Sequence, residues 1–161
     1  MNYYTLYEIP ENPVVNKVLV SKKYIELQKA FHPDFFTNET EEDKEIALTQ
    51  SAAINKGYNI FSNNDKTIEY FLQLKGVIVA EEKYNLPPDF LMEMMELNEG
   101  FDDDADIETK IAALETDLNE AIKPMLLLEN ELLLDENALQ QLKLYYYKKK
   151  YLKRILERLE D

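Results

Sequence analysis

The chain of 161 residues contains no cysteine, one histidine and three glycines. Without cysteine it can form no disulfide, no thiol nucleophile, no cysteine-ligated zinc site and no direct cysteine ligation of an iron–sulfur cluster. A single histidine argues further against a transition-metal site. Because so little glycine leaves few turn residues for a sheet protein, the composition predicts an all-α fold.

The sequence also lacks long apolar runs and a basic charge balance. No stretch approaches the roughly 18 uninterrupted apolar residues of a membrane helix, and the N-terminal MNYYTLYEIP has neither the basic segment nor the apolar run of a signal peptide. We therefore expect a cytoplasmic protein without a membrane partner. The formal net charge of -14 would repel a phosphate backbone, so nucleic acid is not expected as a partner either.

Hydrophobic residues make up 45% of the chain, enough for a sizeable core, and their spacing predicts helices. The first long helix is expected from Val14 to Phe31, with a buried stripe formed by Val20, Tyr24, Leu27 and Phe31. It must stop near His32, because Pro33 disfavours the α conformation in the residue before it and has no amide hydrogen. A second helix is expected from about Glu41 to Phe61, so the two should form an antiparallel hairpin.

Further along the chain, composition and prolines predict a division into domains. A shorter helix is expected from Lys66 to Leu74, and a pair of prolines closes the segment that follows it. We predict an N-terminal domain at residues 1–75, a linker at 76–87 and a C-terminal helical domain at 88–161.

The C-terminal domain is expected to be a three-helix bundle. Its helices are predicted at Pro88 to Phe101, from Ile107 onward, and at about Glu136 to Leu159. Alternating spacings of four and three predict a bundle seam, kinked at Pro124 and formed by Ile107, Ile111, Leu114, Leu118, Ala121, Met125, Leu128 and Leu132. The last helix contains YYYKKKYLKR. Such a pattern can bind single-stranded nucleic acid, but the net charge argues against this, and tyrosines at helical spacing are more often core residues.

The stretch KAFHPDFF, residues 29–36, holds the only histidine of the chain. For catalysis His32 would need a nucleophile or a substrate acid nearby, and the sequence offers no serine motif, no cysteine and no glycine-rich phosphate loop. We therefore expect no enzymatic activity, no cofactor and no metal site. A structural interpretation remains open, in which Pro33 fixes a turn, Asp34 bonds nearby backbone amides and His32 packs at a helix end.

The surroundings of this tripeptide favour a functional interpretation. Lys22 and Lys29 lie roughly opposite the apolar stripe and Lys23 lies at its edge, so the helix has a basic outer side. A basic-faced helix ending in aromatic-His-Pro-Asp, then a loop, then an antiparallel helix containing SAAINKGYNIF, resembles the J-domain of the DnaJ co-chaperone family. In that family the loop and the basic face dock on a DnaK-type chaperone and stimulate its ATP hydrolysis. The resemblance implies chaperone-binding residues at His32, Pro33, Asp34, Lys22, Lys23 and Lys29. Phe35 departs from the family, because many relatives have a basic residue there.

The segment PDFLMEMMELNEGF has two apolar faces. On a helical wheel one face is an ordinary core stripe, formed by Phe90, Met94, Leu97 and Phe101. The far side combines apolar and acidic side chains: Leu91, Met92, Met95, Glu96 and Glu99. A third helix could cover this far side. The alternative is a partner-binding patch, because clustered methionines suit an adaptable surface.

Together with the opening NYYTLYEIP and the bridge EYFLQLKG, this segment resembles the HscB family, the J-protein co-chaperones of iron–sulfur cluster biogenesis. The resemblance covers essentially the whole chain. It implies that the C-terminal bundle binds the cluster scaffold protein, of the IscU type, through Leu91, Met92, Met95, Glu96 and Glu99. The family also uses an aromatic residue of the last helix, which the sequence brackets only between Tyr145 and Tyr151.

The resemblance therefore implies a non-enzymatic adaptor. It would increase ATP hydrolysis by a DnaK- or HscA-type chaperone and deliver the IscU-type scaffold to it during cluster assembly and transfer. A second hypothesis is a J-domain co-chaperone for general protein clients, in which scaffold would have no effect. A third is a plain helical interaction protein, for which Asp34→Asn would leave every activity intact.

Overall fold

The computed structural model describes residues 2–100, 106–127 and 134–160, and over these ranges the chain is helical without a strand. The all-α prediction is confirmed. None of the described helices is both long and apolar enough to cross a membrane. The chain divides into two compact units, Met1–Phe71 and Leu72–Asp161. The described helices are α1 Tyr3–Leu6, α2 Lys17–Phe31, α3 Glu41–Phe61, α4 Asn64–Leu74, α5 Pro88–Gly100, α6 Ile107–Ile122 and α7 Glu136–Glu160.

The first unit is built on the hairpin of α2 and α3, which pack against each other, with α1 packed on α3. Its core is aromatic at one end: the rings of Tyr4 and Tyr7 both contact Phe61, at centroid distances of 5.0 and 5.5 Å. The hydroxyl of Tyr7 donates to the carbonyl oxygen of Ile54 on α3, so the buried phenol is satisfied. These contacts hold the short N-terminal helix on the hairpin.

Helix α2 begins three residues later than the periodicity predicts. Asn16 is its N-cap, and the side-chain oxygen of Asn16 accepts from the amides of Val18 and Leu19. An asparagine in this role satisfies helix amides that have no partner within the helix, and so fixes the start. On the predicted stripe Val20 is fully buried, whereas Tyr24, Leu27 and Phe31 are only half-buried.

The prediction for α3 agrees with the structure at both ends, and α4 begins two residues earlier than predicted. Between α2 and α3 the expected loop contains a short 3₁₀ turn, Pro33–Phe36. After α4 the chain turns at Gly76, whose φ of 71° lies in the left-handed region that glycine adopts without strain. The Val77 amide returns to the carbonyl oxygen of Leu72, which closes the end of the helix.

The second unit contains the three expected bundle helices, with α5 and α6 each packed against α7. Its core includes Leu118 and Ile122 of α6 and Leu142, Leu152 and Ile155 of α7. Phe90, Met94 and Leu97 form the buried face of α5 as predicted. Phe101, Leu128 and Leu132, which complete the predicted stripes, lie outside the described residues.

Pro124 does not kink a continuing helix, and that prediction is wrong. Helix α6 ends at Ile122, and the proline lies in a 3₁₀ turn, Lys123–Leu126. Because proline has no amide hydrogen and its ring clashes with the preceding turn, the helix ends here instead of bending. Elsewhere on the predicted seam Leu118 is buried, whereas Ala121 is exposed.

Candidate interaction surfaces

His32 ends helix α2 and caps the turn that follows. Its amide donates to the carbonyl oxygen of Gln28, 2.8 Å away, and its own carbonyl oxygen accepts from the Phe35 amide at 3.0 Å. The ring nitrogen Nδ1 accepts from the Asp34 amide at 3.2 Å. In the neutral ring the proton therefore lies on Nε2, which leaves a hydrogen-bond donor on the other edge of the ring.

Asp34 is held by its backbone, while its carboxylate points away from the unit. The side chain is 85% exposed, and its Oδ2 lies 3.6 Å from His32 Nδ1, which already accepts from the Asp34 amide. Among the described residues no backbone amide donates to this carboxylate, so the structural interpretation in which Asp34 caps the turn is wrong. His32 does the capping, and the Asp34 carboxylate remains accessible.

The three predicted lysines of α2 differ in their surroundings. Lys22 and Lys29 are exposed. Lys23 instead folds back onto the chain after α1, where its Nζ lies 2.8 Å from Glu8 Oε2 and 3.7 Å from Glu26 Oε2. The hydrogen bond from Lys23 lowers the pKa of Glu8, and the same bond raises the pKa of Lys23. Only two of the three lysines are thus presented without a carboxylate partner among the described residues.

The far side of α5 is left uncovered by the described helices. Met92 and Met95 are 63% and 58% exposed, and Glu96 and Glu99 are also exposed. Leu91 is half-buried. The alternative in which a third helix covers this side is therefore wrong for both methionines. Exposed methionines beside carboxylates form a surface that can repack around a partner.

Comparisons with known proteins identify the family of the chain. Residues 86–160 match the family model described as the HSCB C-terminal oligomerisation domain. The co-chaperone protein HscB homolog of Shewanella loihica is 34% identical over 116 residues, which cover 71% of this chain and 67% of that protein. The solved structure of chaperone HscB from Vibrio cholerae is 31% identical, with a TM-score of 0.59 and 99% of each chain covered.

The chain belongs to the HscB family of co-chaperones. The crystal structure of human co-chaperone protein HscB adds agreement of fold, with a TM-score of 0.80 over 99% of this chain and 81% of that chain, at 22% identity. In this HscB-family chain, as the sequence predicts, the five scaffold-site residues share one helix of the second unit and the His-Pro-Asp loop lies in the first. Their binding roles remain predictions.

The structure separates the tyrosines of α7, which the sequence leaves undecided. Tyr145 is buried and its hydroxyl bonds Asn119. Tyr151 is half-buried, packs edge-on against Phe90 of α5 at 6.1 Å, and lines an open groove of about 340 Å³ together with Leu91. Of the bracketed tyrosines, Tyr147 and Tyr151 line this groove beside Leu91, and Tyr151 also contacts α5 through Phe90.

This groove, called the tyrosine groove below, has a wall that sequence reasoning missed. It is lined by Tyr84, Leu91, Tyr147, Tyr151, Lys150 and Arg154, together with Glu82, Asn85 and Leu86. Tyr84 stacks on Tyr147 at a centroid distance of 4.3 Å with the ring planes 12° apart. The only sequence signal was the YYYKKKYLKR pattern, which does not show that Tyr84 meets it.

Glu82 holds this wall together. Its carboxylate accepts from the Tyr147 hydroxyl and from Lys143 Nζ, the latter at 3.1 Å. The hydrogen bond from Tyr147 is the largest cause that lowers the pKa of Glu82, while burial is the main cause that raises the pKa of Tyr147. Tyr147 therefore stays a neutral donor at physiological pH. The segment predicted as a linker, 76–87, is tied to α7 through these contacts.

Proposed function

We propose that this co-chaperone has two binding surfaces and no catalytic group of its own. The His-Pro-Asp loop and the exposed lysines of α2 dock on a DnaK- or HscA-type chaperone and increase its ATP hydrolysis. The far side of α5 binds an IscU-type iron–sulfur scaffold protein and delivers it to the chaperone during cluster assembly and transfer. Membership of the HscB family and the exposure of both surfaces support this proposal.

The observation that carries the chaperone half is the geometry of Asp34. The 3₁₀ turn and the His32 cap fix its backbone, yet its carboxylate is 85% exposed. An exposed carboxylate on a fixed backbone can bond a basic group of a partner with little loss of backbone freedom. Asp34 acts by contact, so the ATPase chemistry belongs to the chaperone.

For the scaffold half, the exposed methionines supply the contact. Met92 and Met95 provide exposed apolar area, and their flexible side chains can adapt to the surface of the partner. Tyr151 lines the groove beside Leu91 of the same helix. Glu96 and Glu99 provide acidic groups that select a partner with basic side chains nearby. The aromatic residue that the family uses on its last helix is, in this proposal, Tyr151.

The test is steady-state ATP hydrolysis by a purified HscA- or DnaK-type chaperone, with and without the IscU-type scaffold. Wild-type protein should stimulate hydrolysis, and scaffold should increase that stimulation synergistically. Asp34→Asn should abolish stimulation while scaffold binding is unchanged. A double variant, Met92→Ala with Met95→Ala, should keep basal stimulation but lose the synergy.

A matched control removes two other exposed apolar side chains, in Leu48→Ala with Val79→Ala, and should retain both activities. Stimulation that needs Asp34 but ignores scaffold would overturn the scaffold half and favour the general-client hypothesis. Full activity of Asp34→Asn would overturn the chaperone half.

A further inference from the structure

The basic rim of the tyrosine groove, formed by Lys150 and Arg154, stands out in a chain of net charge -14. The two cations are four residues apart on α7, so they lie on the same side of the helix. Both are exposed. Within the described ranges neither forms an ion pair with a carboxylate, although acidic residues outnumber basic ones by 32 to 18 in the sequence.

The carboxylate of Glu82, which also lines the groove, is already paired within the protein. Lys143 is neutralised by Glu82, with both side chains less than one-fifth exposed, and the Tyr147 hydroxyl donates to the same carboxylate. Lys150 lies over aromatic faces, with its Nζ 5.7 and 6.0 Å from the ring centroids of Tyr146 and Tyr147. Such cation–π contacts hold the ammonium in place without neutralising it. The charge that remains to be matched is therefore positive.

The apolar part of the groove adjoins the far side of α5. Leu91 lines the groove and also belongs to the predicted scaffold-binding set, and Tyr151 packs on Phe90 of the same helix. A partner seated on Met92 and Met95 would therefore reach the groove by continuing along α5 toward Leu91. The stacked pair of Tyr84 and Tyr147 offers it a flat apolar wall.

We propose that the tyrosine groove receives an acidic side chain of the scaffold protein, whose carboxylate binds Lys150 and Arg154 while its aliphatic stem packs on Leu91 and the tyrosines. This inference rests on the proposed function and adds the kind of scaffold side chain that binds beside α5. The far side of α5 presents carboxylates and the groove presents cations, so the matching surface carries basic groups opposite Glu96 and Glu99 and an acidic group opposite the rim. Complementarity of both signs fixes the register of the complex.

The experiment measures scaffold binding by isothermal titration calorimetry with purified IscU-type scaffold. The rim variant Lys150→Gln with Arg154→Gln is compared with a control, Lys153→Gln with Arg158→Gln. The control removes the same two positive charges from exposed positions of α7 outside the groove. The rim variant should weaken binding by about tenfold and flatten its salt dependence, whereas the control should change affinity by less than about twofold.

Equal loss of affinity in the two variants would overturn the inference, because long-range charge alone would then explain it. An unchanged affinity of the rim variant for scaffold would also overturn the inference. The proposed function would still stand in that case, provided that the wild-type protein binds scaffold. If the wild-type protein does not bind scaffold, the proposed function fails and this inference fails with it. The variant Met92→Ala with Met95→Ala tests the α5 contact by itself, because it leaves the rim intact. It should bind scaffold more weakly, and unchanged binding would count against the proposed function and not against the rim alone.

Discussion

Gly57 is the residue at which α3 comes closest to the N-terminal aromatic side chains. A Cβ at this position would lie 2.6 Å from Cε2 of Tyr7 and 3.3 Å from Cδ1 of Tyr3. Tyr7 cannot easily move away, because its ring is fully buried against Phe61 and its hydroxyl is bonded to the Ile54 carbonyl. The single absent methyl group therefore sets how closely α1 approaches the hairpin.

We expect Gly57→Ala to lower the free energy of unfolding by about 1–3 kcal/mol, because an added carbon in a packed core forces neighbours to shift. Urea titration followed by far-UV circular dichroism measures the change. Gly100→Ala is the control, since a Cβ there would meet nothing within 4 Å. A loss of stability in Gly100→Ala equal to that in Gly57→Ala would contradict the assignment of the cost to Tyr7.

At the scale of the elements, two ion pairs each join a connecting segment to a helix. Glu8, which follows α1 with a φ of 55°, reaches Lys23 on α2, and Glu82 reaches Lys143 on α7. The first pair is exposed at Glu8 and engages a residue predicted to bind the chaperone. The second pair is mostly covered and supports the wall of the tyrosine groove.

Glu8→Gln should strengthen docking on the chaperone by about twofold to threefold, because Lys23 loses its nearer carboxylate partner and can join Lys22 and Lys29 at the surface. The chaperone concentration that gives half-maximal binding, measured by biolayer interferometry, reports the change. Glu45→Gln removes the same charge from an exposed position of α3 and serves as the control. If both variants gain equally, net charge and not Lys23 is responsible.

Glu82 contributes stability that depends on pH. Its pKa is lowered in the folded state, so its contribution is present above its ordinary pKa and is lost as pH falls through the folded-state pKa. The difference in unfolding free energy between wild type and Glu82→Gln should therefore be largest near neutral pH and shrink below about pH 4.

Chemical denaturation at a series of pH values measures this difference. Glu93→Gln, which removes an exposed carboxylate of α5, is the control and should show a small difference at every pH. A difference for Glu82→Gln that stays constant as pH falls would show that the carboxylate charge is not what stabilises the wall.

At the scale of the whole molecule, the charge of -14 makes each basic surface a local exception. Among the described residues, one such surface is on α2 in the first unit and another, which includes the rim of the tyrosine groove, is on α7 in the second. The net negative charge disfavours acidic partners in general, so these basic surfaces favour particular positions for an acidic group.

Raising the salt concentration should weaken chaperone docking more than scaffold binding. Exposed lysines are screened over about 10 Å at 0.1 M salt, whereas the scaffold contact adds exposed methionines and an aromatic wall, whose apolar contacts salt does not screen, to its charge pairs. Binding constants for each partner, measured between about 50 and 300 mM salt, give the two slopes. Equal slopes would contradict this division between a mainly electrostatic surface and one that is partly apolar.

Local patterns in the sequence were sufficient for most of the helices and for the position of the candidate residues. Helix α3 has the predicted ends, and α5 has the predicted buried and exposed faces. Pro33 marks the end of α2 because its effect on the preceding residue is local. Pro124 was misjudged, since proline can either bend or end a helix and the packing around it decides between the two.

Only the tertiary structure decided which charged and aromatic side chains meet. Glu82 contacts residues 61 and 65 positions away, and Lys23 pairs with a carboxylate 15 positions earlier. Helical periodicity reports which face of a helix is apolar, but it carries no information on which distant segment packs against that face. For this reason the sequence alone determined the helices and the exposed sides of α2 and α5, while the tertiary contacts decided the pairing of Lys23, the packing of Tyr151 on Phe90 and the groove beside it.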